Sequence, residues 1–229
     1  MKVTWLAHAG LLFENEKIAI LVDPYLSDSL AEKSPLYRRS TPPKKEYFDV
    51  NPDVILVTHS HGDHLDPETV KVFLGDDRRE CTVLAPRAAY EILAAMTEEH
   101  NVVELNPHSV WSENGITFYS VAAAHSDKTA CGFIIDDGEK TYYISGGTLY
   151  NFDVIDDVLD LAPSGVDYAF LTINGRGNNM HARDAADFAY EIGAHNAIPV
   201  GYGLFDDIDP AEFDFEDAII LEPYTRIEL

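Results

Sequence analysis

The chain has 229 residues, 46% of them hydrophobic, and a formal net charge of −24 from 40 acidic and 16 basic residues. Its length and apolar content suffice for one substantial core, so we expect a single domain over residues 1–229. The acidic balance argues against nucleic acid as a partner, because binding to phosphates depends on Lys and Arg. No apolar run is long enough to span a bilayer, so a membrane is not an expected partner either.

The predicted elements alternate between strands and helices along the chain. The first half predicts strands at Val3–Leu6, Leu11–Glu14 and Lys17–Val22, a loop with a helical turn at Ser27–Phe48, a strand at Asp53–Val57, a helix from Pro67 to Gly75, a strand at Thr82–Ala85, a helix at Arg87–Met96 and a strand at Val102–Leu105. The second half predicts strands at Ile116–Val121, Cys131–Asp136 and Thr141–Ile144, a helix at Asp153–Leu161, a strand at Tyr168–Thr172, a helix at Ala182–Ile192 and strands at Ala197–Val200 and Ile219–Leu221. Strands outnumber helices, and helices separate groups of strands, which indicates a layered α/β domain.

The cysteines and the N-terminal residues bear on the compartment. Cys81 and Cys131 form no CxxC pair, which favours a reducing compartment over a disulfide framework. The N-terminal stretch MKVTWLAHAGLLFENEK has no small-residue cleavage site, so it does not read as a signal peptide. We therefore expect a cytoplasmic protein.

A dense group of metal-binding residue types follows the predicted strand at Asp53–Val57, in the stretch VTHSHGDHLD. His59 and His61 stand two apart on an extended segment, so their side chains point to the same side. Gly62 lets the chain bend, which brings Asp63 and His64 back toward the same pocket. Imidazole and carboxylate ligands together suit zinc, manganese or iron. The alternative is a set of solvated loop histidines beside a helix cap, and four such residues at this spacing favour the metal site.

The stretch THSHGDH resembles the H-x-H-x-D-H signature of the metallo-β-lactamase superfamily. Further segments occur in the order found in its ascorbate-6-phosphate lactonase-like branch of metal-dependent hydrolases: WLAHAG, LVDPYLSD, YISGGTLY, LTINGRGNNMHARDAADFA and IPVGYGLF. The resemblance covers nearly the whole chain. It implies an α/β fold of the four-layer αβ/βα sandwich type.

The resemblance also implies two adjacent metal sites. It assigns three histidines to the first site, His59, His61 and His125, and it assigns Asp63 and His64 to the second. Glycine stands at two further ligand positions: Gly147 replaces a bridging aspartate in SGGT, and Gly201 replaces a histidine in PVGY. Without the bridging carboxylate, the repulsion between two divalent ions is not offset. We therefore expect one zinc or manganese ion rather than two, held by the three histidines.

Several other residues are weaker candidates. Asp153, Asp206, Asp207 and His181 lie near the altered segments and could replace missing ligands, although each is more simply an exposed acid or a helix-start residue. His8 either lines the pocket or packs inside a strand, and Asp23 either ends a strand or supports a histidine. The histidines without a motif are predicted to lie on the surface: His100, His108 and His195.

The implied function is hydrolysis of a small anionic lactone or phosphoester by a metal-activated water. Asp63 is predicted to be catalytic, by orienting or deprotonating that water. The residues predicted to bind substrate are Asn174, Arg176 and His181. The basic segment Lys33–Lys45 is either an ordinary surface loop or a positive rim that attracts an anion. The alternative is a catalytically disabled member of the family that binds a ligand or partner. A third possibility is that Gly147 and Gly201 are two engineered substitutions in an active hydrolase. A homo-oligomer is compatible with the sequence.

Overall fold

Two β-sheets pack face to face at the centre of the protein, in a computed structural model that describes residues 1–229. The strands are β1 Lys2–Trp5, β2 Leu11–Glu14, β3 Ala19–Val22, β4 Val54–Leu56, β5 Thr82–Ala85, β6 Asn101–Glu104, β7 Val110–Glu113, β8 Ile116–Ala122, β9 Cys131–Asp136, β10 Thr141–Ile144, β11 Tyr168–Thr172, β12 Asn196–Val200 and β13 Arg226–Glu228. The helices are α1 Ser29–Lys33, α2 Pro67–Phe73, α3 Arg87–Ala94, α4 Phe152–Leu161 and α5 Ala182–Glu191, with short 3₁₀ helices at Pro35–Tyr37, Lys45–Asp49 and Pro210–Glu212.

Both sheets mix parallel and antiparallel pairs. The first has the order β13-β1-β2-β3-β4-β5-β6, and its pairs from β3 to β6 are parallel. The second has the order β12-β11-β10-β9-β8-β7, and its pairs from β10 to β12 are parallel. Parallel strands are joined by crossover segments, and these carry the longer helices.

The largest hydrophobic cluster fills the space between the sheets, with 44 buried residues drawn from both of them and from the helices. Phe13 on β2 shows how they meet. Its ring lies edge-on to Tyr142 of β10 and Phe170 of β11, with centroid distances of 5.6 and 5.2 Å. Edge-to-face pairs of this kind add stability beyond the area that they bury.

Helices cover the outer face of each sheet. On the first sheet, Phe73 of α2 and Leu93 of α3 belong to a cluster of 16 buried residues that includes Ile55 of β4. On the second sheet, α4 packs against β8 and α5 packs against β11 and β12. This arrangement of helix, sheet, sheet and helix confirms the predicted αβ/βα sandwich. No helix has the length and apolar character needed to cross a bilayer.

The predicted strand at Ile219–Leu221 is wrong. The only bridge to the second sheet at this point joins Ala197 of β12 to Ala218, the residue before the segment. Ala197 accepts a hydrogen bond from Ile219 N at 2.9 Å. The next residue of β12 that faces the same way is Pro199, which has no N–H to donate, so the ladder stops there.

Two short strands were not predicted, β7 and β13. β13 reads Arg-Ile-Glu and pairs with β1 at the edge of the first sheet, with Val3 opposite Ile227. Three residues with a single apolar side chain carry too little periodicity to indicate a strand. Pairing with the buried β1 stabilises this segment, and that long-range contact is not visible in the local sequence.

Candidate metal centre

The loops after β4 and β8 bring three histidines together. His59 and His61 follow β4 of the first sheet, and His125 follows β8 of the second. One nitrogen from each ring lies within 4.8 Å of the other two. We call these residues the first cluster. The structure thus brings together the three residues that the sequence grouped at one cation site.

Burial keeps two of these imidazoles neutral. His59 is buried, and burial together with the nearby rings of His64 and His125 holds its pKa far below the usual range. Burial and the rings of His61 and His64 lower the pKa of His125 to about 4. A neutral imidazole has a free lone pair, which is the form that binds a metal. His61 is exposed, so the first cluster is open to solvent on that side.

A second group lies beside the first and consists of His8, Asp63 and His64. Their ligand atoms also lie within 4.8 Å of one another. Asp63 Oδ2 is 3.0 Å from His8 Nε2 and 3.8 Å from His64 Nε2. We call these residues the second cluster. Of the two interpretations left open for His8, the structure supports the pocket position.

Asp23 orients the histidine of the second cluster from behind. Its carboxylate contacts His64 Nδ1 at 2.7 Å and accepts hydrogen bonds from Thr58 N at 2.8 Å and Thr58 Oγ1 at 2.6 Å. Thr58 Oγ1 in turn lies 3.0 Å from His59 Nδ1. Asp23 therefore does both things that the sequence suggested, since it ends the β3 segment and supports a histidine. Such partners fix the ring orientation and raise the basicity of a metal-binding imidazole.

The second cluster favours a negative charge on Asp63 and a positive charge on His64. Burial alone would raise the pKa of Asp63, but the His64 imidazole and the hydrogen bond to His8 outweigh burial and hold that pKa well below its usual range. Burial alone would lower the pKa of His64, but the carboxylates of Asp23 and Asp63 raise it. An ionised Asp63 beside these imidazole nitrogens can accept a hydrogen bond or bind a cation.

Both clusters line a cavity of about 370 Å³. The other residues around it include Tyr37, Asn174, Arg176, Asn178, Asn179 and Asp206. His181 does not line this cavity; it precedes α5 as an exposed residue and borders a separate cavity with Ile173 and Arg183. Asp153 and Asp207 also lie outside the lining. Asp206 does line the cavity, but its carboxylate accepts a hydrogen bond from Gly203 N at 2.8 Å, which organises the loop.

The loop after β11 places Arg176 at the cavity. Asn174 holds this loop, since its Nδ2 donates to Gly201 O at 2.8 Å and its Oδ1 accepts from Arg176 N and from Asn179 Nδ2. Arg176 uses one guanidinium nitrogen to donate to Phe205 O at 3.2 Å. The remaining donors of its planar fork are available for an anion.

The basic segment Lys33–Lys45 meets the cavity through Tyr37. Its Arg39 is committed to the fold, because the guanidinium donates to Tyr25 O, Thr41 O and Tyr224 Oη. Arg39 therefore cannot serve as part of a free positive rim.

The two glycines at the expected ligand positions have different surroundings. A Cβ on Gly147 would lie 3.0 Å from both His125 Nε2 and Asn179 Oδ1, which is tight but within reach of a small adjustment. Gly201 has a φ of +74°, and a Cβ there would lie 2.4 Å from Thr172 Cγ2. A side chain at residue 201 is therefore opposed by both backbone conformation and steric overlap.

Asp127 is a site residue that the sequence analysis overlooked. Its Oδ2 accepts from Ser60 N at 3.0 Å and Ser60 Oγ at 2.7 Å, and its backbone N–H donates to His125 Nδ1 at 3.1 Å. An aspartate two residues after a candidate histidine ligand was the only local indication. Its partner is 67 positions away along the chain, so the contact could not be read from the sequence.

The surface assignment of His100 is wrong, whereas those of His108 and His195 are confirmed. His100 is buried, and its Nδ1 lies 3.3 Å from Cys81 Sγ and accepts a hydrogen bond from Cys81 N. The side chains of His108 and His195 are each 64% exposed. His100 carries no motif, and it is buried because the parallel pairing of β6 with β5 places it beside Cys81, just before the start of β5.

A β-lactamase superfamily domain model matches residues 19–202. A UPF0173 metal-dependent hydrolase of Methanopyrus kandleri is 31% identical, with each chain covered in full. The chain belongs to the metallo-β-lactamase superfamily and, within it, to the relatives called UPF0173 metal-dependent hydrolases.

Two solved structures share the fold. One is Igni18, a metallo hydrolase from Ignicoccus hospitalis, with a TM-score of 0.77, 19% identity and coverage of 100% of this chain and 98% of the other. The other is an isothiocyanate hydrolase from Delia radicum gut bacteria, with a TM-score of 0.77, 17% identity and coverage of 100% and 99%. Agreement along both complete chains supports the layered fold described above.

The residues present fit a divalent metal ion. The first cluster offers three imidazole nitrogens, and the second offers two more with one carboxylate oxygen. Only three buried side-chain polar atoms in the protein have no hydrogen-bond partner, and two of them, His8 Nδ1 and Asn179 Oδ1, belong to residues that line this cavity. Buried polar atoms normally have a partner. A donor set of this composition suits zinc or manganese.

Proposed function

We propose that the protein is a metal-dependent hydrolase that cleaves a small anionic lactone or phosphoester with a water molecule. The observation that carries this proposal is the first cluster, where three imidazole nitrogens lie within 4.8 Å of one another at the cavity. We infer that His59, His61 and His125 would hold one zinc or manganese ion there. The lactone or phosphoester follows from the resemblance to the ascorbate-6-phosphate lactonase-like branch.

The chain's own residues supply the arrangement around the reaction. When bound, a divalent ion lowers the pKa of a water molecule and polarises the bond to be cleaved. His59 and His125 are neutral and ready to act as ligands, and the exposed side of His61 leaves room for substrate. Asp63, held by His8 and His64, is ionised and accepts a hydrogen bond from the attacking water, which orients it.

The anionic part of the substrate is assigned to Arg176. Its guanidinium lines the cavity and has donors left after the contact with Phe205. Asn174 uses both ends of its amide within the loop, so its role is to place Arg176 rather than to contact substrate. A phosphate or carboxylate matches the planar guanidinium fork in a bidentate pair.

A second candidate function is ligand binding without catalysis. Glycine at both 147 and 201, where the superfamily pattern has metal ligands, favours this alternative. Under it, the protein does not hydrolyse lactones or phosphoesters with any added divalent metal. In both cases we place the protein in the cytoplasm, because Cys81 and Cys131 are free.

Metal content measured by elemental mass spectrometry tests the proposal. We expect protein purified without chelators, after growth with zinc and manganese, to retain about one equivalent of metal. His59→Ala should lose the metal and the hydrolytic activity together. His195→Ala, a change at an exposed histidine outside the cavity, should keep both. Metal-free wild-type protein with no activity after metal addition would instead support the non-catalytic alternative.

A further inference from the structure

The cavity that holds both clusters has an apolar side. Three of its lining side chains are apolar, Leu30, Tyr37 and Phe205, and the rest of the lining is polar or glycine. Leu30 belongs to α1, Tyr37 ends the first 3₁₀ helix, and Phe205 lies in the loop after β12. The rings of Tyr37 and Phe205 meet almost at a right angle, with centroids 5.9 Å apart. We call these three residues the apolar wall.

Buried rings hold Phe205 and Leu30 in place. The Phe205 ring centroid lies 5.5 Å from that of Tyr25 and 5.1 Å from that of His8, and both of these residues are buried. The Tyr25 hydroxyl accepts a hydrogen bond from Leu30 N at 3.2 Å. Leu30 and Phe205 therefore pack on one small hydrophobic cluster, which contains Tyr25.

Tyr37 is held against the same loop by its neighbours in the chain. Ser40 N donates to Leu204 O at 3.0 Å, and Ser40 Oγ donates to Gly203 O at 2.7 Å. These two bonds tie the segment that carries Tyr37 to the segment that carries Phe205. Because the wall is formed without a ligand, binding a ligand against it costs little ordering of the protein.

The apolar wall reaches from the anion-binding group to the histidine loop. At one end, the backbone oxygen of Phe205 accepts from Arg176 Nη1 at 3.2 Å. At the other end, Leu30 Cδ2 would lie 3.2 Å from a Cβ on Gly62, which stands between His61 and Asp63. A small ligand can therefore touch the wall and the Arg176 guanidinium while its reacting bond lies near the clusters.

The amides of the cavity leave few atoms for a ligand rich in hydroxyl groups. Asn174 uses both ends of its side chain within the loop. Asn179 Nδ2 donates to Asn174 Oδ1 at 3.0 Å, and Asn178 Oδ1 accepts from Ser126 N at 3.0 Å. One side-chain atom thus remains on each of Asn178 and Asn179. A polar body that leaves its hydroxyl groups unpaired in the cavity would bind at a cost.

We propose that the substrate carries an apolar group, such as a phenyl ring, which packs against Leu30, Tyr37 and Phe205 while its anionic group pairs with Arg176. The proposal rests on the proposed function, because it names the class of substrate for the same cavity. Apolar groups bind in proportion to the area that they bury, and rings gain further from edge-to-face contacts. Tyr37 is 45% exposed, so the wall opens to solvent at its outer end and admits groups of different length.

Isothermal titration of the protein, purified without chelators, with phenylphosphonate and methylphosphonate tests the proposal. Neither ligand can be hydrolysed, and the two differ only in the apolar group. We expect phenylphosphonate to bind wild type about 10-fold more tightly or better. Tyr37→Ala and Phe205→Ala should each lower that preference to about 3-fold or less, whereas Tyr37→Phe should keep it because the ring remains.

Two further variants separate the apolar wall from the anion-binding group. Arg176→Ala should weaken both phosphonates by a similar factor and leave their ratio unchanged. Phe152→Ala, at a 69% exposed aromatic residue outside the cavity, is the matched control and should bind both as wild type does. Circular dichroism of each variant verifies that a lost preference does not reflect unfolding.

The outcomes distinguish this proposal from the proposed function. Equal affinities of wild type for the two phosphonates, or no binding of phenylphosphonate, would overturn the role of the apolar wall. A preference that persists in folded Tyr37→Ala and Phe205→Ala would also overturn it. A preference that depends on these residues, in a protein without hydrolytic activity, would support the wall and contradict the hydrolase.

Discussion

Asp127 and Ser60 connect the two loops that carry the first cluster. The Asp127 carboxylate accepts from both the backbone N–H and the hydroxyl of Ser60, at 3.0 and 2.7 Å. Ser60 stands between His59 and His61, and Asp127 stands two residues after His125. The contact therefore fixes the distance between ligands that belong to different sheets.

Replacement of Asp127 should affect both stability and metal binding. Asp127→Ala removes the hydrogen bonds from Ser60 and from Thr129, and we expect a loss of about 2 kcal/mol in the free energy of unfolding. Metal affinity should fall about 10-fold because the His125 loop is no longer held. Urea unfolding and metal titration measure the two effects. Asp160→Ala, at an exposed position of α4, should change neither; equal effects in both variants would contradict the role assigned to Asp127.

Asp23→Asn isolates the contribution of a buried charge to metal binding. The substitution keeps the size of the side chain but removes the negative charge behind His64, which makes that imidazole a weaker ligand. We expect the affinity for metal to fall about 10–100-fold. Competition with a metal-binding dye measures it. Asp53→Asn, which alters a carboxylate paired with Arg79 outside the cavity, is the control and should bind metal like wild type.

Removal of the Arg176 guanidinium should weaken substrate binding more than it slows turnover. With an anionic substrate, we expect Arg176→Ala to raise KM about 10-fold or more, with a smaller change in kcat, because a charged hydrogen bond is lost. Arg176→Lys should recover only part of the loss, since an ammonium cannot form the bidentate pair. Steady-state kinetics distinguishes these cases. Arg183→Ala, at an exposed position of α5, is expected to leave KM unchanged.

Restoration of the two missing ligands should not be equally successful. Gly201→His places a Cβ into Thr172 at a φ of +74°, so we expect a loss of about 1–3 kcal/mol in stability without a gain in metal binding. Gly147→Asp meets only His125 and Asn179 at 3.0 Å, and its carboxylate should tighten metal binding. Thermal unfolding and metal titration of the two single variants test this order. A stable, metal-tight Gly201→His protein would show that the turn can rearrange.

Asp167 should make stability depend on pH in acid. Burial alone would raise its pKa, but the hydrogen bonds from Thr141 N at 2.8 Å and Thr141 Oγ1 at 3.0 Å, with His195 nearby, hold that pKa below its usual value. The unfolded chain therefore takes up this proton at a higher pH than the folded protein does. The stabilisation from Asp167 is complete above the unfolded pKa of about 4 and declines as the pH falls below it.

Denaturant unfolding of wild type and Asp167→Asn between pH 6 and pH 2 measures this contribution. The difference in the free energy of unfolding should be constant down to about pH 5 and should shrink below about pH 4. A difference that stays constant across the whole range would mean that the ionised carboxylate contributes nothing to stability.

The layered fold and the first cluster could be predicted because their determinants are local or carried by a motif. His59 and His61 stand two positions apart in the motif, the resemblance that the motif carries also supplied His125, and the alternation of strands and helices specified the layers. The contribution of His8 could not be predicted, because it depends on a contact with Asp63 across 55 positions. His100 was misplaced for the same reason, since its burial depends on how β6 packs. Ile219–Leu221 has the composition of a strand, but its pairing is limited by a proline on another segment.

That proline also affects how the protein behaves when it is concentrated. β12 forms one edge of the second sheet, and an exposed edge is a template on which a strand from another molecule can pair. Pro199 removes a donor from the outward row of β12, and the single bridge from Ala218 occupies the backbone beside it. An incoming strand would find only a short, interrupted row of hydrogen-bonding groups. The residue that ends one pairing within the chain thus protects this edge against intermolecular sheet growth.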